Sequence, residues 1–94
     1  MSIEVRIPTP LRRLTDGNSK VTSDGSTLIE VVNSLNSQFP GIKERLCDEN
    51  NELRNFVNIY INGEDVRFLD GINSSIKDGD EISIVPAVAG GFWK

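Results

Sequence analysis

The pair Gly90-Gly91, with Phe92-Trp93-Lys94 after it, is the part of this 94-residue chain whose residue types most directly suggest chemistry. Before it runs Val85-Pro86-Ala87-Val88-Ala89, an apolar segment leaving what reads as a final strand. Glycine has no Cβ, so a diglycine can thread a narrow channel and adopt backbone angles closed to other residues. Such a tail suits a reaction in which the Gly91 carboxyl is itself the reacting group. The other reading is a frayed end, where glycine is common and order is low. The pair alone does not separate the two.

No other residue set offers a competing site. The chain has no histidine and one cysteine, Cys47, so Ser-His or Cys-His catalysis and a structural zinc site cannot be assembled within it. Cys47 follows Leu46 at the end of a short helical segment and reads as a small buried hydrophobe rather than a reactive thiol. Asp65, Asp78, Asp80 and Glu81 lie in two separate hairpin turns without the ligand register of a calcium loop. They read as solvated turn residues, and no bound metal or cofactor is expected.

Composition narrows the class. With 37% hydrophobic and 26% charged residues the chain is an ordinary single globular domain. A net charge of −4, with Arg12-Arg13 interleaved among acidic residues, argues against nucleic-acid binding, which needs clustered Lys and Arg. No apolar run approaches the roughly 20 residues of a membrane span, and no signal-peptide core is present. A partner membrane is therefore not expected. One cysteine allows no internal disulfide, so the expected location is the reducing cytoplasm.

The elements that must hold the tail can be read from spacing. Ile3, Val5 and Ile7 alternate with Glu4 and Arg6, a strand with one buried face that Pro8 and Pro10 end. After residues 11–14, Asp16-Gly17-Asn18 signals a turn and Lys20-Val21-Thr22 returns, giving a hairpin with a wide loop. Ser26 or Thr27 can cap a helix, and Thr27 and Glu30 have capping-box spacing. Leu28, Val31, Val32, Leu35 and Phe39 then form one apolar stripe of about 13 residues, stopped by Pro40-Gly41. Residues 42–47 add a short helical turn, and residues 48–51 a polar loop. Val57, Ile59 and Ile61 make a clear strand, Asn62-Gly63 a tight hairpin turn, and residues 66–69 the returning strand. Asp78-Gly79-Asp80 turns into a last strand carrying Ile82 and Ile84, which Pro86 ends.

One amphipathic helix across one mixed sheet of four to five strands is a two-layer α+β domain. With the helix following the first hairpin, the third long strand is expected to enter beside the first, the β-grasp arrangement. The expected organisation is a domain over residues 1–86 and a flexible tail over residues 87–94. Its core is expected to contain Val5, Ile7, Leu28, Val31, Val32, Leu35, Val57, Ile59, Ile82 and Ile84. If Val57, Ile59 and Ile61 face the helix, alternation sends Phe56, Asn58 and Tyr60 to the uncovered side, with Arg67 and Phe68 nearby. Aromatics there suggest a partner surface formed by Phe56, Tyr60 and Phe68; scattered surface hydrophobes are the plainer alternative.

Several stretches resemble a known family. They are Phe56-Val57-Asn58-Ile59-Tyr60-Ile61-Asn62, Glu64-Asp65-Val66-Arg67-Phe68, Asp78-Gly79-Asp80 and, above all, Pro86-Ala87-Val88-Ala89-Gly90-Gly91. The chain is similar over nearly its whole length to the ubiquitin-like sulfur carriers, which include the molybdopterin-synthase small subunit and the thiamine sulfur carrier. It is most like those of cysteine biosynthesis. The resemblance implies a protein co-substrate rather than an enzyme. An adenylating enzyme would join the Gly91 carboxyl to AMP using ATP, and a sulfur donor would then leave a thiocarboxylate. Gly90 would give the tail access to a tight channel. A sulfur-accepting synthase, pyridoxal-phosphate dependent in one version, would take the sulfur toward cysteine, homocysteine or a sulfur-containing cofactor.

Family members usually stop at the second glycine, whereas here Phe92-Trp93-Lys94 follows. For members with such tails the resemblance implies removal by a JAMM-type zinc metalloprotease, which here would cut between Gly91 and Phe92. The alternative is that Phe92 and Trp93 fold back on the sheet as a cap. Two other functions share the fold: a protein modifier joined to lysines through Gly91, and an interaction module with an inert tail.

Overall fold

The computed structural model describes residues 2–54 and 57–86. Its strands are β1 (Ile3–Arg6), β2 (Lys20–Ser23), β3 (Val57–Ile61), β4 (Glu64–Asp65) and β5 (Glu81–Pro86), and its helices are α1 (Leu28–Gln38) and α2 (Ile42–Leu46). They form one five-stranded sheet in the order β2-β1-β5-β3-β4. Only the β1–β5 pair is parallel; β1–β2, β3–β4 and β3–β5 are antiparallel. A single mixed sheet with α1 packed across one face is the β-grasp fold that the alternation and the helical stripe predict.

The ten core residues expected from the sequence are all buried, none more than 5% exposed. Ile3, Leu11, Ile42, Leu46, Val66 and Ile76 join them. In α1, Leu28, Val31, Val32 and Leu35 face the sheet. The helix starts at Thr27, whose hydroxyl accepts from the Glu30 amide at 3.4 Å, while the Glu30 carboxylate accepts from the Ser26 amide at 2.8 Å. The Glu30 amide is a first-turn donor that the helix itself leaves unpaired, and the bond to Ser26 ties down the residue just before the cap. Just before the cap, a Cβ on Gly25 would sit 2.8 Å from the Val31 nitrogen, so the chain approaches the helix closer than any side chain allows.

Three local expectations are corrected. Residues 66–69 do not form a strand: β4 stops at Asp65, and Val66–Phe68 is a 3-10 turn. The Asp65 carboxylate accepts from the Arg67 amide at 2.8 Å, a cap that bends the chain inward and buries Val66. The first hairpin has the wide loop expected of it, and that loop contains a 3-10 helix, Thr9–Thr15, closed by bonds from the Thr15 hydroxyl to the Arg12 and Asn18 carbonyls. Phe39 is the C-cap of α1 rather than part of its body, although it still packs on the core. Finally, the strand beside β1 is β5, not β3. β3 takes the other side of β5 over five residue pairs, so β5, with Ile82 and Ile84 buried, is the centre of the sheet.

Candidate functional site

The reactive end expected from the sequence, Gly90, Gly91 and the Gly91–Phe92 bond, lies outside the described residues, as does Phe56. What the structure does place is the base from which that segment departs. β5 is flanked by β1 on one side and β3 on the other, and its last residue, Pro86, pairs with Val57, the first residue of β3. Proline in a central strand normally costs a ladder bond because it has no N–H. Here the pairing with β1 has ended by Arg6 and Ser83. On the β3 side, the Val57 carbonyl points away from β5 and accepts from Arg67 Nη2 at 2.7 Å. Neither neighbour asks residue 86 for a donor.

Arg67 does more than satisfy Val57. Its Nη2 also donates to the Arg54 carbonyl at 3.1 Å, and its Nη1 donates to the Asn58 side-chain oxygen. One guanidinium therefore holds three acceptors at the start of β3, on the flank that the two-residue β4 does not reach. The sequence indicates only that Arg67 lies near this face. The signal that could have flagged it is Asp65 two residues before it, a capping spacing that stiffens the turn and aims the side chain back over β3.

Among the described residues no element covers the face of the sheet opposite α1, and the strand registers arrange it in rows. Thr22, Glu4, Glu81 and Asn62 form the row farthest from the end of β5; Lys20, Arg6, Ser83, Tyr60 and Asp65 form the next; Val85 and Asn58 form the last. Tyr60 is half-buried within this face, as alternation predicts, and Val85 beside the exit is 40% exposed. Phe68 does not lie in the sheet. It projects from the 3-10 turn at the rim and is 83% exposed, with Leu69 next to it at 41%. Tyr60 and Phe68 thus lie on different elements, the one in β3 and the other on the 3-10 turn.

Away from the exit the face is charged. Arg6 Nε meets Glu81 Oε2 at 3.0 Å, and Lys20 Nζ meets Glu4 Oε1 at 3.5 Å. A hydrogen bond with Glu4, and then the Arg6 guanidinium, hold the Glu81 carboxyl below the usual carboxylate range. Exposed pairs of this kind add little stability, but they fix the pattern of charge that a partner meets. The two rows away from the exit are therefore ionic, whereas the row beside it pairs exposed Val85 with Asn58, which Arg67 holds.

The remaining candidates are structural. Cys47 is 2% exposed, and burial pushes its thiol up from the ordinary value, which disfavours the nucleophilic thiolate. Asp78 accepts from the Ser2 amide at 2.6 Å, and Asp80 accepts from Asn62 Nδ2 at 2.9 Å and the Lys77 amide at 2.8 Å. These carboxylates tie turns together. Among the described residues no group of three or more His, Cys, Asp or Glu side chains could hold a metal ion, and no helix is long and apolar enough to cross a membrane.

Comparison with known proteins bears on the exit directly. A family model described as the ThiS family matches residues 5–91, a span that includes the diglycine. The sulfur carrier protein CysO of Mycobacterium tuberculosis H37Rv is 48% identical over 93 residues, covering 97% of this chain and all of the relative. Small archaeal modifier protein 3 of Haloferax volcanii is 34% identical over 93 residues, again 97% of this chain and all of the relative. A chain in the crystal structure of the Amycolatopsis orientalis BexX/CysO complex superposes with a TM-score of 0.90 at 46% identity, covering 95% of this chain and 99% of that one.

Proposed function

Because the chain belongs to the ThiS family of ubiquitin-like sulfur carriers, we propose that Gly91, once freed from Phe92, is adenylated and converted to a thiocarboxylate that donates sulfur in biosynthesis. The observation that carries this reading is the family match running through Gly91 on a domain whose central strand ends at Pro86, four residues before Gly90 in the sequence. In this role the chain is a co-substrate and not a catalyst. A free carboxylate is a poor electrophile; joining it to AMP at the expense of ATP, with loss of pyrophosphate, supplies a leaving group. Hydrosulfide from a sulfur donor then attacks the acyl carbon, the bond to AMP breaks, and the sulfur stays on the protein as –COSH.

The Gly91 carboxyl in this chain is held in a peptide bond with Phe92, so it has no oxygen free for adenylation. A protease of the JAMM zinc type cutting Gly91–Phe92 would release it. A sulfur-accepting synthase, pyridoxal-phosphate dependent if the product is cysteine or homocysteine, would be the last partner. Tyr60 on the open face and exposed Phe68 on the 3-10 turn are the described residues suited to meeting these partners, with Phe56 the third candidate. The CysO chain of Amycolatopsis orientalis occurs in a complex with BexX, which supports a partner surface on proteins of this shape.

The likeness to an archaeal modifier protein favours a second reading, in which Gly91 forms isopeptide bonds with lysines. One experiment addresses both. Full-length protein incubated with ATP and the adenylating enzyme should give no adenylate. The chain truncated after Gly91 should give one and, on addition of sulfide, gain sulfur in place of one oxygen by mass spectrometry. A thiocarboxylate on protein still carrying Phe92-Trp93-Lys94 would sink the need for cleavage, and a ladder of high-mass conjugates would favour the modifier.

A further inference from the structure

We infer that Arg67 is a positioning residue for the reactive tail: its guanidinium clamps the strand pair from which the chain beyond Pro86 departs. The functional half of this inference rests on the carrier reading above.

The need for a clamp follows from topology. β3 is flanked on its outer side by a strand of two residues, which pairs only with Tyr60 and Ile61. Among the described residues the beginning of β3 has no strand neighbour there, and an edge left in that state presents backbone groups that water can loosen. Yet this beginning, Val57 and Asn58, is what Pro86 and Val85 pair with. A frayed start to β3 would release the end of β5 and, with it, the direction in which the tail sets out.

Arg67 occupies the gap. Its planar fork reaches the carbonyls of Val57 and Arg54 and the side-chain oxygen of Asn58 together. The Asn58 contact lies on the open face and the Val57 contact on the outer edge, so the strand is held from two directions. Arg67 is itself held: Asp65 caps its amide at 2.8 Å, and its neighbour Val66 is fully buried. A rigid planar donor set of this kind is not reproduced by lysine, whose ammonium is a single point charge on a flexible stem. A tail that leaves a fixed root samples fewer directions, and more of its copies enter a narrow channel productively.

Hydrogen exchange on the full chain tests the clamp. In Arg67→Ala the amides of Asn58 and Val85 should lose protection by about tenfold, the loss expected when charge-assisted hydrogen bonds are removed. Those of Val5 and Val21, in the distant β1–β2 pair, should keep theirs. Arg67→Lys, which retains charge and stem, should behave like the alanine variant at these two sites, and it serves as the informative variant if Arg67→Ala does not fold. Unchanged exchange at Asn58 and Val85 would overturn the clamp.

Its functional half is read from the adenylating enzyme acting on the chain ending at Gly91. Both variants should raise KM by about tenfold and leave kcat alone, since the chemistry at Gly91 is untouched once bound. Loosened exchange with an unaltered KM would overturn the positioning role and leave Arg67 purely structural. If the unsubstituted chain ending at Gly91 is not adenylated at all, the carrier reading fails, and the exchange result still decides the clamp.

Discussion

Leu35→Ala is the most exacting test of how this small domain is held together. Leu35 is 1% exposed and lies in the buried stripe of α1 with Leu28, Val31 and Val32. Truncation removes the apolar end of the side chain and leaves a cavity, and such changes cost about 2–5 kcal/mol depending on how far the site can collapse. Collapse is restricted here. The surrounding core is rich in β-branched Val and Ile from paired strands, which have few rotamers in which to refill space. The upper half of the range, about 3–4 kcal/mol, is therefore expected. Alanine is a better helix former than leucine, so lost helicity contributes nothing to the effect.

Against the roughly 5–14 kcal/mol typical of a chain of this length, that is a large fraction. At about 4–8 °C per kcal/mol for a domain of this size, Tm should fall by roughly 12–32 °C. Urea titration followed by far-UV circular dichroism would measure it, with an unchanged slope showing that the denatured state is the same. Asn33→Ala, on the exposed side of α1, is the control and should shift stability by about 0.5 kcal/mol or less. A Leu35→Ala loss below about 1 kcal/mol, or one no larger than the control's, would mean that α1 does not bury this stripe.

Two further outcomes are expected. Tyr60→Ala should weaken binding to the adenylating enzyme or the synthase by more than about 1 kcal/mol with little change in melting; calorimetry showing altered melting but unaltered binding would remove Tyr60 from the partner surface. Asp80 is held below the usual Asp range first by its bond from Asn62 and then by the Lys77 amide. A depressed carboxyl stabilises the fold above the unfolded value of about 4 and loses that contribution as pH falls through the lower folded value. Asp80→Asn should therefore flatten the acid limb of urea midpoints measured between about pH 7 and about pH 2, and an acid limb parallel to that of the unsubstituted protein would refute the linkage.

Much of the fold is legible from short-range pattern. Alternation at Ile3, Val5 and Ile7, at Val57, Ile59 and Ile61, and at Ile82 and Ile84 marks the buried face of each main strand, because side chains reverse direction at every residue. The 3.6-residue recurrence from Leu28 to Leu35 marks the helix, and Thr27 with Glu30 marks its start. Asn62-Gly63 is legible because a two-residue turn demands positive φ at both positions, 53° and 87° here. The diglycine is legible for the same kind of reason: glycine's freedom is a property of one residue and needs no neighbours.

What tertiary structure alone decided depends on partners far apart in sequence. Nothing near Glu81–Pro86 shows that this strand, rather than β3, lies beside β1; the choice is made by the whole sheet at once. The stretch after Asp65 reads as strand by propensity, and it becomes a 3-10 turn because burying Val66 and capping the Arg67 amide outweigh two more ladder pairs. Arg67 reads as one more surface charge. Its meaning as the clamp on Val57, Asn58 and Arg54 exists only once a hairpin folds it back across β3, since a hydrogen bond is set by position in space and not by distance along the chain.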